Sequence, residues 1–220
     1  MTKILGIDEA GRGPVIGSMF VGGFLVEEDR TGELEDLGVK DSKKLSDRRR
    51  DMMDEKLESI GETFLKEVTA STIDELREVM TLNEIEVQAF SEVIGMSDAD
   101  RVIVDLPEPN AERFIRKLKD QLPPRFEDVE FVAEHGADDE YPVVSAASIL
   151  AKSARERHVR ELKEKYGFDF KSGYPHDEEV IEFMDQYLDE YGELPDETRR
   201  SWSTAQRVLK EHGQEGLDDF

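Results

Sequence analysis

Cysteine is absent from the 220 residues, so neither a disulfide framework nor a thiolate metal site belongs to the architecture. Long apolar runs are missing too. The longest, Val15 to Val26, is interrupted by Gly17, Ser18, Gly22 and Gly23 and is too short to cross a bilayer as a helix. The opening MTKILGIDEA lacks the basic-then-apolar pattern of a signal peptide. Together these absences lead to the expectation of a soluble, cytoplasmic protein without a membrane partner. Tryptophan occurs once, at Trp202, and is read as a core anchor without chemistry. Positive charge is scarce: 29 Lys and Arg face 53 Asp and Glu, a net charge of -24.

Disorder does not follow, because 37% of the residues are hydrophobic and the acids are scattered through periodic segments. In molar salt the Debye length shrinks to about 3 Å and the self-repulsion is largely screened. The charge is therefore read as suited to a high-salt cytoplasm, with an acidic interaction protein as the competing reading. The basic residues cluster in KDSKKLSDRRR, residues 40–50, and again from Lys152 to Lys165. Such clustering suits an anionic ligand as well as it suits two solvated helix faces. The length fits one substantial core, so a single domain over residues 1–212 is expected, with a flexible acidic tail over 213–220.

Periodicity predicts strands at Lys3 to Ile7, Val15 to Val26 and Glu62 to Ala70, forming an antiparallel meander with EAGRGP as the first reversal. RVIVDLP, from Arg101, and VEFVAE, to Glu134, read as two further strands. Helical spacing covers Ser46 to Ile60, Ile73 to Met80, Leu82 to Ile94 and Ala111 to Leu122. Three more helices follow from about Pro142 to Tyr166, Asp177 to Tyr191 and Thr198 to His212. Strands and helices alternate first, and a helical half closes the chain: an α/β fold.

Asp8 and Glu9 end the first strand, and Asp105 ends VIVD. In an open α/β sheet the strand ends are where ligands gather, so neighbouring parallel strands would bring these groups together. Asp138, in HGADDEYP, follows the last strand and is placed to join them, with Asp139 as its competitor. Carboxylates sharing one site raise each other's pKa and need a counter-charge. Magnesium or a similar hard divalent cation, which takes oxygen ligands, meets that need. Successive side chains on a regular strand point to opposite faces. Asp8 and Glu9 are therefore expected to converge through a break in the strand at the Gly11 and Gly13 turn.

GIDEAGRGP, KDSKKL, VIVD, HGADDEYPVVSAASILAK and SGYP occur in this order, and together they closely resemble the type 2 ribonucleases H, the ribonuclease HII family. The resemblance runs from Lys3 to about Thr204. It implies a ribonuclease H-like fold, with a five-stranded mixed sheet flanked by helices and a helical C-terminal extension. It implies an endoribonuclease that hydrolyses the RNA strand of RNA/DNA hybrids and cuts at ribonucleotides embedded in duplex DNA, leaving 3′-hydroxyl and 5′-phosphate ends. By motif, Asp8, Glu9, Asp105 and Asp138 would be the catalytic carboxylates that bind Mg2+ or Mn2+, and the family's spacing to the YP tyrosine selects Asp138 over Asp139. Gly11, Arg12 and Gly13 would read the RNA-DNA junction, Tyr174 would stack on the sugar that follows it, and Lys43 would contact phosphate. Lys152 is a further phosphate candidate. His135, at a strand end, is either a proton carrier or an ordinary polar residue. The competing readings are a DNA nuclease of the same superfamily and a non-cleaving hybrid-binding or clamp-tethered adaptor. A monomer is expected.

The chain ends in GQEGLDDF. Gln214, Leu217 and Phe220 follow the spacing Q-x-x-L-x-x-F, which resembles the peptide that docks on replication sliding clamps. The second aromatic of that pattern is missing because the chain stops at Phe220, and the alternative is a frayed acidic terminus.

Overall fold

The computed structural model describes residues 1–39 and 47–218. Five strands form one mixed sheet in the order β3-β2-β1-β4-β5: β1 (Lys3–Ala10), β2 (Met19–Glu27), β3 (Glu62–Val68), β4 (Arg101–Asp105) and β5 (Glu130–Glu134). The first three pair antiparallel, as their hydrophobic pattern predicts, and β4 and β5 lie parallel to β1. Among the described residues the helices are α1 (Thr31–Leu37), α2 (Asp47–Ile60), α3 (Ala70–Arg77), α4 (Leu82–Met96), α5 (Ala111–Gln121), α6 (Ala137–Glu140), α7 (Pro142–Tyr166), α8 (Glu178–Tyr191) and α9 (Ser203–Asp218). None is long and apolar enough to cross a membrane.

Strand parity sorts the core into two layers. Odd positions Leu5 and Ile7 join Phe90, Val93 and Phe114 of α4 and α5 on one face. Even position Ile4 joins Val143, Val144 and Ala147 of α7, with Leu57 of α2, on the other. A third cluster, in which Val15 and Ile16 meet Phe170, Phe183 and Val208, attaches the C-terminal helices. The approach of α7 to the sheet is unusually close, because Gly6 and Gly22 present no side chain to it. A Cβ on Gly6 would lie 2.3 Å from the Val143 carbonyl oxygen, and one on Gly22 2.3 Å from that of Ala147.

Several local expectations are revised. β1 does not break at Asp8. It continues through Ala10 with Asp8 opposite Gly22 and Glu9 opposite Val21, because the reversal starts only at Gly11, whose φ is +83°. Residues 15–18 are not part of β2: the Val15 and Ile16 amides donate to the Gly173 carbonyl and the Gly17 amide to that of Glu197, so the segment docks on the C-terminal half. α3 begins three residues early because Thr69 caps it, accepting from the Thr72 amide. The last helix starts at Ser203 and its backbone stays helical to Asp218, past the expected end at His212. Neither Gly213 nor Gly216 stops it, since a glycine in a helix costs only about 1 kcal/mol against alanine.

Gly22→Ala is expected to destabilise the protein by about 2 to 3 kcal/mol, because the added methyl has only backbone to meet. Gly32→Ala, an exposed helical site with no atom within 4 Å of the added carbon, is expected to be neutral or to stabilise by up to about 1 kcal/mol. Urea unfolding of the two variants checks the contrast, and equal midpoints would refute the close-packing account.

Candidate active site

The parallel pairing of β1 with β4 sets Ile7 beside Val104, so the next residues, Asp8 and Asp105, meet where β4 ends and two residues before β1 does. Asp138 reaches them from α6, a single turn that the sequence pattern does not reveal. Gly136, in the left-handed region at φ 70°, turns the chain out of β5. The amides of Gly136 and Ala137 then donate to Asp105 Oδ1 at 2.8 and 3.1 Å. Asp105 thus positions the turn that delivers Asp138, and the Ser145 hydroxyl donates to the Asp138 carbonyl from α7. One carboxylate oxygen from each of Asp8, Asp105 and Asp138 lies within 4.8 Å of the others. Asp8 is 4% exposed and Asp138 8%.

The electrostatics follow from this burial. Loss of water pushes the Asp8 carboxyl up to about 6, helped by the charge of Asp105 and opposed by the Ser148 hydroxyl and Lys152. The Ser148 hydroxyl approaches without hydrogen-bond alignment. Burial also raises Asp105, against the pull of the two amides. Lys152 Nζ stands 3.8 Å from Asp138, so the residue read as a phosphate candidate sits beside the cluster. Three oxygen donors in partial desolvation, two of them resisting ionisation, suit a hard divalent cation.

Glu9 is placed differently from the sequence expectation. With β1 unbroken, its side chain projects on the α4 face, opposite to Asp8, and it is not in the tight set of three. Burial holds it well above its ordinary value, reinforced by the charges of Glu86, Asp8 and Asp105 and opposed by Arg12. It therefore borders the cluster without converging on it through a bulge. Asp139 is exposed, and so is His135 at the end of β5.

The loop after β1 is built around Arg199, which is fully buried. Its guanidinium donates to the backbone oxygens of Gly17 (2.9 Å), Arg12 (2.8 Å) and Gly11 (2.6 Å). Trp202 Nε1 donates to the Gly13 carbonyl at 3.3 Å, so this tryptophan ties the loop to the start of α9 and is more than a core anchor. Tyr174 lies against the loop: a Cβ on Gly13 would be 3.1 Å from its ring. Arg155 sits over the same ring at 5.1 Å. Glu9, Gly11, Arg12, Lys152, Arg155 and Tyr174 line a cavity of about 260 Å³. Gly11, Arg12, Gly13 and Tyr174 are thus brought together, whereas Lys43, Phe220 and the side chains of Gln214 and Leu217 lie outside the described residues.

Sequence reasoning missed Arg199 and Glu86. Nothing marks Arg199 apart from its neighbour Arg200. Glu86 did carry a signal, since it interrupts the apolar positions Ile85, Val87, Ala89 and Phe90 of α4.

The ribonuclease HII family model matches residues 5–205. The chain belongs to the ribonuclease HII family. It is 48% identical over 209 residues to a ribonuclease HII of Methanothrix thermoacetophila, covering 94% of this chain and 98% of the relative. The crystal structure of ribonuclease H2 from Pyrococcus horikoshii OT3 superimposes with a TM-score of 0.90 at 36% identity, covering 97% of this chain and all of the other. Ribonuclease HII from Archaeoglobus fulgidus, solved in complex with PCNA, has a TM-score of 0.84 at 39% identity, covering 99% of this chain and 100% of that one. The fold is the ribonuclease H-like fold, and the protein is a metal-dependent endoribonuclease. The non-cleaving alternative is not favoured.

In the metal-free protein the Asp8 carboxyl is raised from 3.8 to about 6. A raised acid contributes stability that is fully present below its unfolded pKa and lost as pH climbs through the folded one. Asp8→Asn is therefore expected to gain on the wild type by up to about 3 kcal/mol between pH 4 and pH 7. Urea titrations in chelator at both pH values measure this; a pH-independent difference contradicts it.

Proposed function

We propose that Asp8, Asp105 and Asp138, with Glu9 at their border, are the catalytic carboxylates and hold the divalent cations, Mg2+ or Mn2+, on which cleavage depends. The observation that carries this reading is the approach of three carboxylate oxygens to within 4.8 Å of one another beside the Gly11–Gly13 loop. When bound, divalent cations lower the pKa of a coordinated water and stabilise charge at phosphorus and at the leaving oxygen.

The remaining work falls to the chain's own residues. The backbone of Gly11 to Gly13, held from below by Arg199, approaches the sugar closely enough to read its 2′-hydroxyl, the group that separates RNA from DNA. Tyr174 offers a ring face to the next sugar, and Arg155 behind it keeps that ring in place. Lys152 and Lys43 contact phosphate. The RNA strand of a hybrid, or one ribonucleotide in duplex DNA, is cut on its 5′ side to leave 3′-hydroxyl and 5′-phosphate ends. His135, exposed beside the cluster, stays an auxiliary candidate for proton transfer.

Gln214, Leu217 and Phe220 form a sliding-clamp ligand in this reading. The A. fulgidus relative solved with PCNA supports it, as does the Q-x-x-L-x-x-F spacing. The enzyme acts as a cytoplasmic monomer. With a net charge of -24, it works at high salt, where counterion release from Lys and Arg contacts yields little affinity.

A labelled DNA duplex carrying one ribonucleotide tests the core of the proposal. Cleavage is expected only with a divalent cation, and replacing the ribonucleotide by its deoxy form is expected to abolish it. Asp105→Asn is expected to lower kcat by at least about a thousandfold, as loss of a group essential to the chemistry does, while duplex binding survives; near-normal turnover would exclude the assignment. Removal of residues 213–220 is expected to leave cleavage of short duplexes intact and to abolish clamp binding in a pull-down. Activity in a KCl series is expected to decline shallowly or to rise, and a steep loss above dilute buffer would contradict the high-salt reading.

A further inference from the structure

Asn83 and Glu86 stand three residues apart on α4, so both side chains leave the helix on one face. That face meets Arg12. The Arg12 guanidinium donates through Nη2 to Asn83 Oδ1 at 2.6 Å, and its Nε lies 3.1 Å from Glu86 Oε1. Asn83 is itself oriented from behind: its Nδ2 donates to Glu108 at 3.4 Å, and Lys117 holds Glu108 at 2.9 Å. Glu86 is wholly buried, yet neither of its oxygens makes an aligned hydrogen bond. A buried carboxylate in that condition costs free energy, and in this fold its charge has Arg12 as its ion-pair partner. The Arg12 side chain remains 37% exposed and lines the cavity beside Tyr174.

The Gly11–Gly13 loop is therefore fixed twice, by independent elements. Arg199 and Trp202, side by side before α9, hold its backbone oxygens, and α4 holds its one long side chain. Hydrogen bonds weaken steeply with misalignment, so a loop that reads a 2′-hydroxyl depends on where it is held. We propose that Asn83 and Glu86 are positioning residues, which clamp Arg12 from α4 and thereby set the placement of the Gly11–Gly13 loop over the Asp8, Asp105 and Asp138 cluster. The inference rests on the reading of that loop as the recogniser of the ribonucleotide. Neither residue touches the substrate; Asn83 acts through Arg12, and Glu86 acts through Arg12 and through its charge beside Glu9.

A double-mutant cycle separates the inference from the reading beneath it. Steady-state kcat and KM are measured with Mg2+ on duplex DNA carrying one ribonucleotide, for wild type, Arg12→Ala, Glu86→Gln, Asn83→Ala and the double variants of Arg12→Ala with Asn83→Ala and with Glu86→Gln. Glu86→Gln keeps the shape and removes the charge, and it is expected to lower kcat about tenfold with KM changed less than about twofold, the signature of misplacement rather than lost binding. Asn83→Ala is expected to move kcat in the same direction by a smaller factor. In the Arg12→Ala background, adding Asn83→Ala is expected to change nothing further, whereas a purely structural role gives additive losses; adding Glu86→Gln there is expected to leave only the change due to its charge beside Glu9. Thermal midpoints are expected to stay level or rise for Glu86→Gln, because a buried charge is removed. Additive losses for Arg12→Ala and Asn83→Ala, or wild-type kinetics in both Glu86→Gln and Asn83→Ala while Arg12→Ala is impaired, overturn the clamp. Wild-type kinetics in Arg12→Ala overturn the reading of the loop itself. Should Glu86→Gln fail to fold, Asn83→Ala and its double variant with Arg12→Ala carry the same cycle.

Discussion

Two unit charges 4 Å apart repel by about 4 kcal/mol at an effective dielectric constant of 20, and this protein gathers three carboxylates whose oxygens lie within 4.8 Å of one another. Much of the surrounding architecture makes that arrangement tolerable. Two backbone amides point at Asp105, the Glu9 amide donates to Asp8 at 2.8 Å, and Lys152 stands beside Asp138. These groups soften the repulsion without removing it, and Asp8, raised chiefly by burial, carries the charge of Asp105 as a further push. A site preorganised in this way favours a divalent cation before any substrate arrives, because the cation relieves a strain that the fold has already set.

The same sheet that concentrates Asp8 and Asp105 also keeps Glu9 apart. Alternation along β1 sends Asp8 to the α7 side, where Ser148 and Lys152 wait, and Glu9 to the α4 side, where Glu86 and Arg12 wait. Adjacent acids in one motif therefore stand in two electrostatic surroundings. On the α7 side the neighbours are ligand-like oxygens and a lysine. On the α4 side, a second carboxylate and an arginine form a network that leads away from the cluster into Asn83, Glu108 and Lys117. The closeness of α7 to the sheet, permitted by Gly6 and Gly22, places Lys152 near Asp138 and not a turn further out.

What was legible in the chain followed from local physics. VIVD reads as a buried strand, Pro142 opens a long helix, and Leu82 to Ile94 shows the spacing of the helix α4. Each depends on residues within one or two turns of each other. The site carboxylates were legible because strand ends are visible in the hydrophobic pattern, and the family motifs named Asp138 where spacing alone left Asp139 open. Long-range partners were not. Residues 15–17 look like strand, yet their amides pair with Gly173 and Glu197, more than 150 residues away in sequence. Arg199 resembles any surface arginine until the fold closes over it. The assumed break after Asp8 failed for a related reason: Gly11 and Gly13 announce a turn, but only pairing with β2 decides at which residue the strand stops.

Arg199 also bears on how so acidic a chain holds a polyanion. Its hydrogen bonds go to backbone oxygens of the loop, and burial, with Arg155 close by, lowers its pKa to about 9. It remains a cation at neutral pH. A charge on the surface is screened by dissolved ions within about a Debye length, roughly 3 Å at molar salt, whereas a buried one is screened much less. Positive potential beneath the Gly11–Gly13 loop thus persists under conditions in which exposed lysines lose their pull. Arg199 is fixed by three backbone carbonyls, which temper its field without neutralising its charge. In a protein of net charge -24, a buried cation of this kind adds to the attraction that groups such as Lys152 exert on a phosphate backbone, and it is the part that salt weakens least.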